Sequence, residues 1–216
     1  NKLMYDTQTH SLWNQFAGRP VVGPLTGSGI VLKTRPVVID RWADWRARHP
    51  ATKVLALETG HRRDYSPGAA YGRYFASPEL MFPTHVDQSK LKQKDFIFAL
   101  RSSGTEKAWP LRLFEGGAVI NDRAGVLDLV LIGDAATRTV RAYRSEGLAF
   151  EKGPDTHQMK HGNEIWQITE DALVAPDGRT LSRLTGHVAY WFAWSGYFGR
   201  EGELAVGCQV PGAKCR

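Results

Sequence analysis

A succession of short β-type segments in the second half of the chain limits the fold more than any other feature. Apolar and β-branched runs alternate there with turns rich in Gly, Asp and Asn, a pattern typical of strands joined by short connections. The predicted strands are residues 96–100, 118–120, 126–132, 137–143 and 164–168, with turns at residues 121–125 and 175–179. We therefore predict an α+β fold, predominantly β, in which antiparallel sheets form a barrel- or sandwich-like core with a few short helices.

The first half of the chain gives weaker signals. Short strands are predicted at residues 3–6, 21–22, 30–33, 37–39 and 54–57. A helix is predicted from residue 41 to residue 49, capped by Asp40 and stopped by Pro50. Residues 59–83 form a long irregular stretch with one short helix at residues 71–75, and loops of this length are often functional. The aromatic stretch 188–198 fits a buried strand and a short helix equally well.

The composition fits a globular domain rather than a disordered or membrane-spanning chain. The 216 residues are 42% hydrophobic and 23% charged, and no run approaches the roughly 20 apolar residues of a membrane helix. The net charge of +6 suits nucleic-acid binding, but the basic residues are scattered and form no recognised nucleic-acid motif. We therefore expect neither a membrane span nor a nucleic-acid partner.

Only two cysteines, Cys208 and Cys215, occur in the chain. This count excludes a disulfide-dense mini-protein and a four-cysteine zinc site. Pairing two short arms around a turn at Pro211 and Gly212 places Cys208 opposite Cys215, at the separation that a disulfide needs. Two free thiols in a loose tail are the alternative. A disulfide would indicate an oxidising compartment.

The first candidate site is a group of metal-ligating residue types, His157, Met159 and His161. On a strand the three share one face, and on a helix the two histidines are neighbours one turn apart. Two imidazoles and a thioether suit copper or another soft transition-metal ion. The alternative is an exposed turn, with incidental histidines, before the strand at residues 164–168.

The second candidate site is a polar group in the long irregular stretch. It consists of His61, Arg62, Arg63, Asp64 and Tyr65. A histidine beside two cations and a carboxylate suits acid–base chemistry, and two arginines can hold a phosphate or carboxylate through paired hydrogen bonds. The alternative is a solvated loop with an Arg–Asp pair. Because the chain contains no nucleophile-elbow, phosphate-loop, dinucleotide or zinc-protease motif, we assign no catalytic residue.

Several short motifs follow one another in a characteristic order over nearly all of residues 2–198. They are Leu12-Trp-Asn-Gln-Phe-Ala-Gly18, Gly23-Pro24, His49-Pro50, Tyr65-Ser-Pro-Gly68, Lys107-Ala-Trp-Pro-Leu111, Ile120-Asn-Asp122, Arg141-Ala-Tyr143, Pro176-Asp-Gly178 and Trp191-Phe-Ala-Trp194. Taken together, these motifs resemble those of a bacterial family, the domain of unknown function 3179 (DUF3179).

The resemblance implies features outside this chain. Family members are generally longer at the N-terminus, where a Tyr-Cys-Pro-x-Cys-Gly-like motif, with selenocysteine in some relatives, suggests thiol redox or metal chemistry. The resemblance also implies a duplicated β unit, with the end of the first unit and an irregular insertion in residues 1–93 and the second unit in residues 94–216. Since the chain starts at Asn1, next to a predicted strand, we expect a single-domain fragment or processed form that contacts the N-terminal segment. No residue here matches the cysteine motif, so no catalytic residue carries over.

Three hypotheses about function follow. The first is a periplasmic or otherwise extracytoplasmic protein linked to redox or metal chemistry, with its reactive cysteines outside this chain. The second is a non-catalytic β scaffold or binding module in which the tryptophan-rich motifs form the core. The third is a hydrolase or transferase with a site in residues 59–83. Whether the protein is an enzyme stays open at this point.

Overall fold

The computed structural model describes residues 3–86, 88–102, 104–198 and 202–205. Its strands are β1 (Leu3–Tyr5), β2 (Leu12–Asn14), β3 (Arg19–Val22), β4 (Phe96–Ser102), β5 (Thr105–Pro110), β6 (Ala118–Ala124), β7 (Leu127–Asp134), β8 (Thr139–Arg144), β9 (Glu151–Lys152), β10 (Gln158–His161), β11 (Glu164–Ile168), β12 (Ala172–Val174), β13 (Thr180–Ser182), β14 (His187–Tyr190) and β15 (Glu203–Leu204). Its helices are α1 (Trp42–Arg48), α2 (Gly72–Ala76), α3 (Trp191–Phe198) and a 3-10 turn at Leu111–Phe114.

The strands form four sheets, with the orders β1-β2-β3, β14-β4-β5-β15, β6-β7-β8 and β13-β12-β11-β10-β9. Neighbouring strands are antiparallel except for β15, which runs parallel to β5. The predicted predominantly β fold with antiparallel sheets and a few short helices is therefore confirmed. Within the described ranges each sheet is open, so the core is layered like a sandwich and is not a closed barrel.

The β6-β7-β8 sheet is buried on both faces. On one face, Ile120 and Leu131 pack with Phe98 and Trp109 of the four-stranded sheet. On the other face, Val130 and Tyr143 pack with Met159, Trp166 and Leu173 of the five-stranded sheet. Because a strand covered on both sides needs apolar residues at successive positions, the unbroken apolar run Leu129, Val130, Leu131 lies in β7.

Helix α3 covers the outer face of the four-stranded sheet. Its Trp191 and Trp194 are buried against Ile97 of β4. The ambiguous stretch 188–198 is thus a strand followed directly by a helix. Phe16, from the N-terminal sheet region, stacks on His187 at 5.2 Å and meets Trp194 edge-on at 6.0 Å between ring centroids. These aromatic contacts connect the N-terminal sheet region to β14 and α3.

The predicted strands at residues 30–33, 37–39 and 54–57 were wrong. All three segments are coil that belongs to no sheet, and Leu55 is 85% exposed. β-Branched residues favour a strand only when a neighbouring strand and a covered face are present, and these segments have neither in the described chain. No helix of the described residues is long and apolar enough to cross a membrane.

Three further expectations need correction. Arg41, not Asp40, is the N-cap of α1, and no side chain caps this helix. The turn expected at residues 121–125 is shorter, because β6 continues to Ala124 and the chain reverses at Gly125, whose φ is +58°. Strand β5 was not predicted, since Glu106 and Lys107 interrupt its apolar pattern.

The close approach of Gly186 to the core gives a test of the packing. A Cβ added to Gly186 would lie 2.6 Å from Cε1 of the buried Phe98 ring. We expect Gly186→Ala to lower the free energy of unfolding by about 1–3 kcal/mol, measured by urea denaturation. Gly72→Ala is the control, because no atom outside its chain neighbours and its own helix backbone lies within 4 Å of its Cβ position. Equal stability of the two variants would contradict this packing.

Candidate functional site

A cleft of about 520 Å³ lies beside the β6-β7-β8 sheet, between α1 and the segment that links β9 to β10. Its lining combines charged and polar side chains with glycine and apolar residues. The residues that the argument below uses are Asp40, Asp44, Arg48, Asp134, Thr137, Thr139, Arg141, Lys152, Asp155, His157 and Gln158. A volume of this size is typical of pockets that hold small molecules.

The cleft continues into a second pocket of about 220 Å³, here called the narrow end. The two cavities share Arg48, Arg141, His157 and Ile168. Glu170 also lines the narrow end. A ligand held in the wide part of the cleft would therefore lie next to the charged groups of the narrow end.

Three arginines and two carboxylates, here called the arginine network, lie along this part of the cleft. They are Arg48, Arg141, Arg183, Asp40 and Glu170. Arg141 donates from Nη2 to Glu170 Oε1 at 2.7 Å and from Nε to Oε2 at 3.4 Å. Arg183 pairs with the same carboxylate and also donates from Nη1 to the Glu170 carbonyl at 2.9 Å. Arg48 pairs with Asp40, and its Nη2 lies 3.7 Å from Glu170 Oε1.

The fold brings the arginine network together from separate elements. Arg141 lies on β8, Glu170 follows β11, and Arg183 follows β13. Arg48 is the last residue of α1, and Asp40 precedes that helix. The network therefore links α1 to the β6-β7-β8 sheet and to the five-stranded sheet. Its ion pairs form only when these three elements are packed together.

Burial and charge act in opposite directions on the Glu170 carboxyl. Burial raises its pKa, but the hydrogen bonds and positive charges of Arg141 and Arg183 outweigh this effect and hold the pKa below its ordinary value of 4.5. Burial lowers the pKa of Arg141, and Glu170 outweighs that effect, so the guanidinium stays charged. Burial raises the pKa of Tyr143, whose neutral hydroxyl donates to the Thr169 carbonyl at 2.7 Å.

A second buried charge pair lies away from the cleft, between β5 and β6. Lys107 Nζ lies 3.1 Å from Asp122 Oδ2, and the two side chains are 4% and 1% exposed. Trp109 donates from Nε1 to the same oxygen at 2.7 Å, and Lys107 Nζ also donates to the Arg123 carbonyl at 2.9 Å. Glu203 lies 2.7 Å from Lys107 Nζ. The donors and acceptors of this pair are satisfied, as a buried ion pair requires.

Asn121 makes a peptide-like contact with the backbone of Phe150. Its Nδ2 donates to the Phe150 carbonyl at 2.8 Å, and its Oδ1 accepts from the Phe150 N–H at 2.7 Å. Together with Lys107, Trp109 and Asp122, it shows that two of the motifs noted in the sequence hold the layers in register. A further motif, Arg141-Ala-Tyr143, places Arg141 in the cleft wall, and the hydroxyl of its Tyr143 donates to the carbonyl of Thr169, which lines the narrow end.

Comparison with known families decides the membership. The pattern of a family described as protein of unknown function (DUF3179) matches residues 1–201. The chain belongs to the DUF3179 family. The resemblance inferred from the sequence is thereby confirmed. No curated protein and no solved structure matches the chain.

The candidate metal ligands occupy different environments. His157 is exposed in the cleft, whereas Met159 is fully buried against Trp166. The Nδ1 atom of His161 lies 2.8 Å from the Ala149 carbonyl. No group of three or more His, Cys, Asp or Glu in the described chain is arranged to hold a metal ion. The metal role of His157, Met159 and His161 stays a prediction.

The polar group His61, Arg62, Arg63, Asp64 and Tyr65 lies in exposed coil. Asp64 accepts hydrogen bonds from the hydroxyl and the N–H of Ser66, at 2.5 and 2.9 Å, and these bonds hold its pKa below the ordinary value. The Tyr65 hydroxyl lies 2.7 Å from Thr59 Oγ1. Among the described residues Asp64 forms no ion pair with either arginine, and an anion-binding or acid–base role of this loop stays a prediction. Cys208 and Cys215 lie outside the described residues.

The sequence interpretation missed the arginine network. Arg141 gave the available signal, because it lies between the buried Val140 and Ala142 on a predicted strand. A charged residue in such a position needs a partner. Nothing in the sequence, however, identified Asp40 and Glu170 as those partners.

Removal of one member of the Lys107–Asp122 pair is expected to be costly. Asp122→Ala leaves the buried Lys107 ammonium with only the half-exposed Glu203 as a counter-charge and leaves Trp109 Nε1 without its acceptor. We therefore expect the free energy of unfolding to fall by about 3–5 kcal/mol in urea denaturation. Asp128→Ala is the matched control, since Asp128 pairs with Arg123 at the surface and such pairs contribute at most about 1 kcal/mol. A small effect of Asp122→Ala would show that this ion pair is not a structural tie.

The lowered pKa of Glu170 predicts a pH-dependent contribution to stability. A carboxyl whose pKa is lower in the folded state stabilises the fold above its unfolded pKa, and this contribution is lost as the pH falls through the folded pKa. The stability gap between wild type and Glu170→Gln should therefore be largest near neutral pH and should shrink below about pH 4.5. Chemical denaturation across this pH range measures the gap. A gap that stays constant in acid would contradict the assignment.

Proposed function

We propose that this DUF3179 chain acts as a non-catalytic binding module that holds a small polar molecule in the cleft. The observation that carries the proposal is a cleft of about 520 Å³ whose wall is fixed by a hydrogen-bonded charge network. A site whose polar groups are held in place before binding loses less entropy when the ligand arrives.

The wide part of the cleft favours ligands that donate hydrogen bonds. Asp44, Asp134 and Asp155 line it together with Lys152, and Arg48 and Arg141 supply further positive charge where the cleft meets the narrow end. Asp134 accepts from the Thr137 N–H at 3.0 Å, and Asp155 accepts from the His157 N–H at 2.9 Å. These contacts fix the two carboxylates but leave further lone pairs for hydroxyl or ammonium groups.

The hydroxyls of the cleft support binding rather than covalent chemistry. Thr139 Oγ1 donates to the Ile39 carbonyl at 2.9 Å, and Thr137 Oγ1 contacts Asp134. Among the described cleft residues, no hydroxyl is hydrogen-bonded to a histidine, the arrangement that activates a nucleophile. The groups are thus occupied in shaping the wall.

The alternative, a redox- or metal-linked function in an extracytoplasmic compartment, stays a prediction, and its candidate ligands within this chain are His157, Met159 and His161. Elemental analysis of the purified protein tests it within this chain. Stoichiometric copper that is lost in His157→Ala would favour the metal hypothesis over the binding module.

A cleft-filling variant tests the binding module. Gln158→Trp places a large side chain in the cleft, and Val126→Trp is the control, because Val126 is exposed in the turn between β6 and β7 and lines neither cavity. Thermal unfolding is followed with a set of sugars, amino acids, hydroxy acids and sugar phosphates. We expect at least one compound to raise the Tm of wild type and Val126→Trp but not of Gln158→Trp.

Two results would contradict the proposal. One is that no compound in the set shifts the Tm of the wild-type protein. The other is that the active compounds shift Gln158→Trp as much as wild type, which would place their site elsewhere.

A further inference from the structure

We infer that the narrow end of the cleft is an oxyanion site, which holds a carboxylate or phosphate group of the bound molecule through Arg48 and Arg141. The inference rests on the proposed function for the remainder of the ligand. Three observations support it: the charge balance of the arginine network, the unused guanidinium donors, and the volume and lining of the narrow end.

The arginine network carries one positive charge more than its carboxylates neutralise. Three guanidinium groups face two carboxylates, Asp40 and Glu170. Both Glu170 oxygens are already engaged by arginines, and Asp40 is shared between Arg48 and Arg141. The arginines thus already neutralise both carboxylates of the network, so these would not repel an incoming anion. The anion would balance the one positive charge that remains.

Arg48 and Arg141 have donors left for a ligand. A guanidinium carries five N–H groups. Arg48 uses one in a hydrogen bond to Asp40, and Arg141 uses Nε and Nη2 towards Glu170 and Asp40. Neither Nη1 group has a hydrogen-bond acceptor in the described part of the chain. Both residues line the cleft and its narrow end, and neither Nη1 atom is buried without a partner, so these donors are accessible to a bound molecule.

The surroundings strengthen an anion contact. The Arg141 side chain is 10% exposed and that of Arg48 25%. Hydrogen bonds to a charged group gain strength where water is largely excluded. His157 also lines both cavities and supplies a further ring nitrogen. The volume of about 220 Å³ admits a carboxylate or phosphate group with a few attached atoms.

Arg183 does not take part directly. Its side chain is 4% exposed, and it holds Glu170 in place while it donates from Nη2 to the Val37 carbonyl at 3.2 Å. Its role is to fix the carboxylate that orients Arg141. Arg48 and Arg141 thus contact the anion, whereas Arg183 positions the Glu170 carboxylate.

Titration with inorganic phosphate, and separately with acetate, tests the inference on the intact chain at constant ionic strength. Binding is followed by NMR through the arginine side-chain Nε–Hε signals. We expect saturable shifts of the Arg48 and Arg141 signals, and a Kd about tenfold or more higher in Arg48→Gln.

Arg46→Gln is the matched control, because Arg46 lies on the same helix, is exposed and does not line either cavity. We expect it to bind like wild type. The comparison of phosphate with acetate shows which oxyanion the site prefers.

If Arg48→Gln does not fold stably, Arg48→Lys is the variant whose binding is compared with that of the wild-type protein. It retains the charge but loses the planar fork, so we expect intermediate affinity. Equal weakening in Arg46→Gln and Arg48→Gln would overturn the inference, since it would indicate general charge attraction. Absence of saturable binding to wild type would also overturn it. If a neutral compound still binds in a manner that Gln158→Trp abolishes, the binding module stands without the oxyanion site, and if none does, both fall.

Discussion

Burial of the β6-β7-β8 sheet on both faces is the constraint on which the rest of the structure depends. One face packs on the four-stranded sheet and the other on the five-stranded sheet, with Phe98 and Trp166 as large anchors on the two sides. A charged side chain on such a sheet cannot reach bulk water without a path to an edge, and an unpaired buried charge is strongly destabilising. The positions of Asp122 and Arg141 on this sheet therefore dictate where partners must come from.

The two charge networks that result differ in how accessible they are, and this difference separates a structural ion pair from a candidate binding site. The Lys107–Asp122 pair is nearly inaccessible, and Trp109 and backbone groups complete its hydrogen bonding. The arginine network is only partly closed, since it borders a cleft and keeps unused donors on Arg48 and Arg141. A satisfied buried pair fixes register, whereas a partly open network with excess charge can recognise a ligand.

Much of the second half of the fold could be predicted from the sequence, because local period and burial agree there. Strands β4, β7, β8 and β11 lie where apolar alternation or runs placed them. In the first half the same local preference misled, since Ile30, Val37 and Leu55 lie in unpaired coil with exposed side chains. The difference is that a residue's strand propensity has an effect only where a partner strand is present, and in the described chain residues 30–33, 37–39 and 54–57 have none. The candidate site was less predictable than the fold: the histidine and methionine spacing was visible, but spacing does not show that Met159 faces the core while His157 faces the cleft.

The sequence by itself determined the β-rich class, the short helices and the family motifs, because these depend on composition, period and the order of local motifs along the chain. Only the tertiary structure decided what the motif residues do. Lys107 and Asp122 are fifteen residues apart, and Arg141 and Glu170 are twenty-nine apart, so no local pattern pairs them. Their contact exists because separate sheets pack against a shared central one, and the burial that results forces opposite charges together. The cleft is a consequence of the same packing, formed where α1 and two sheets meet.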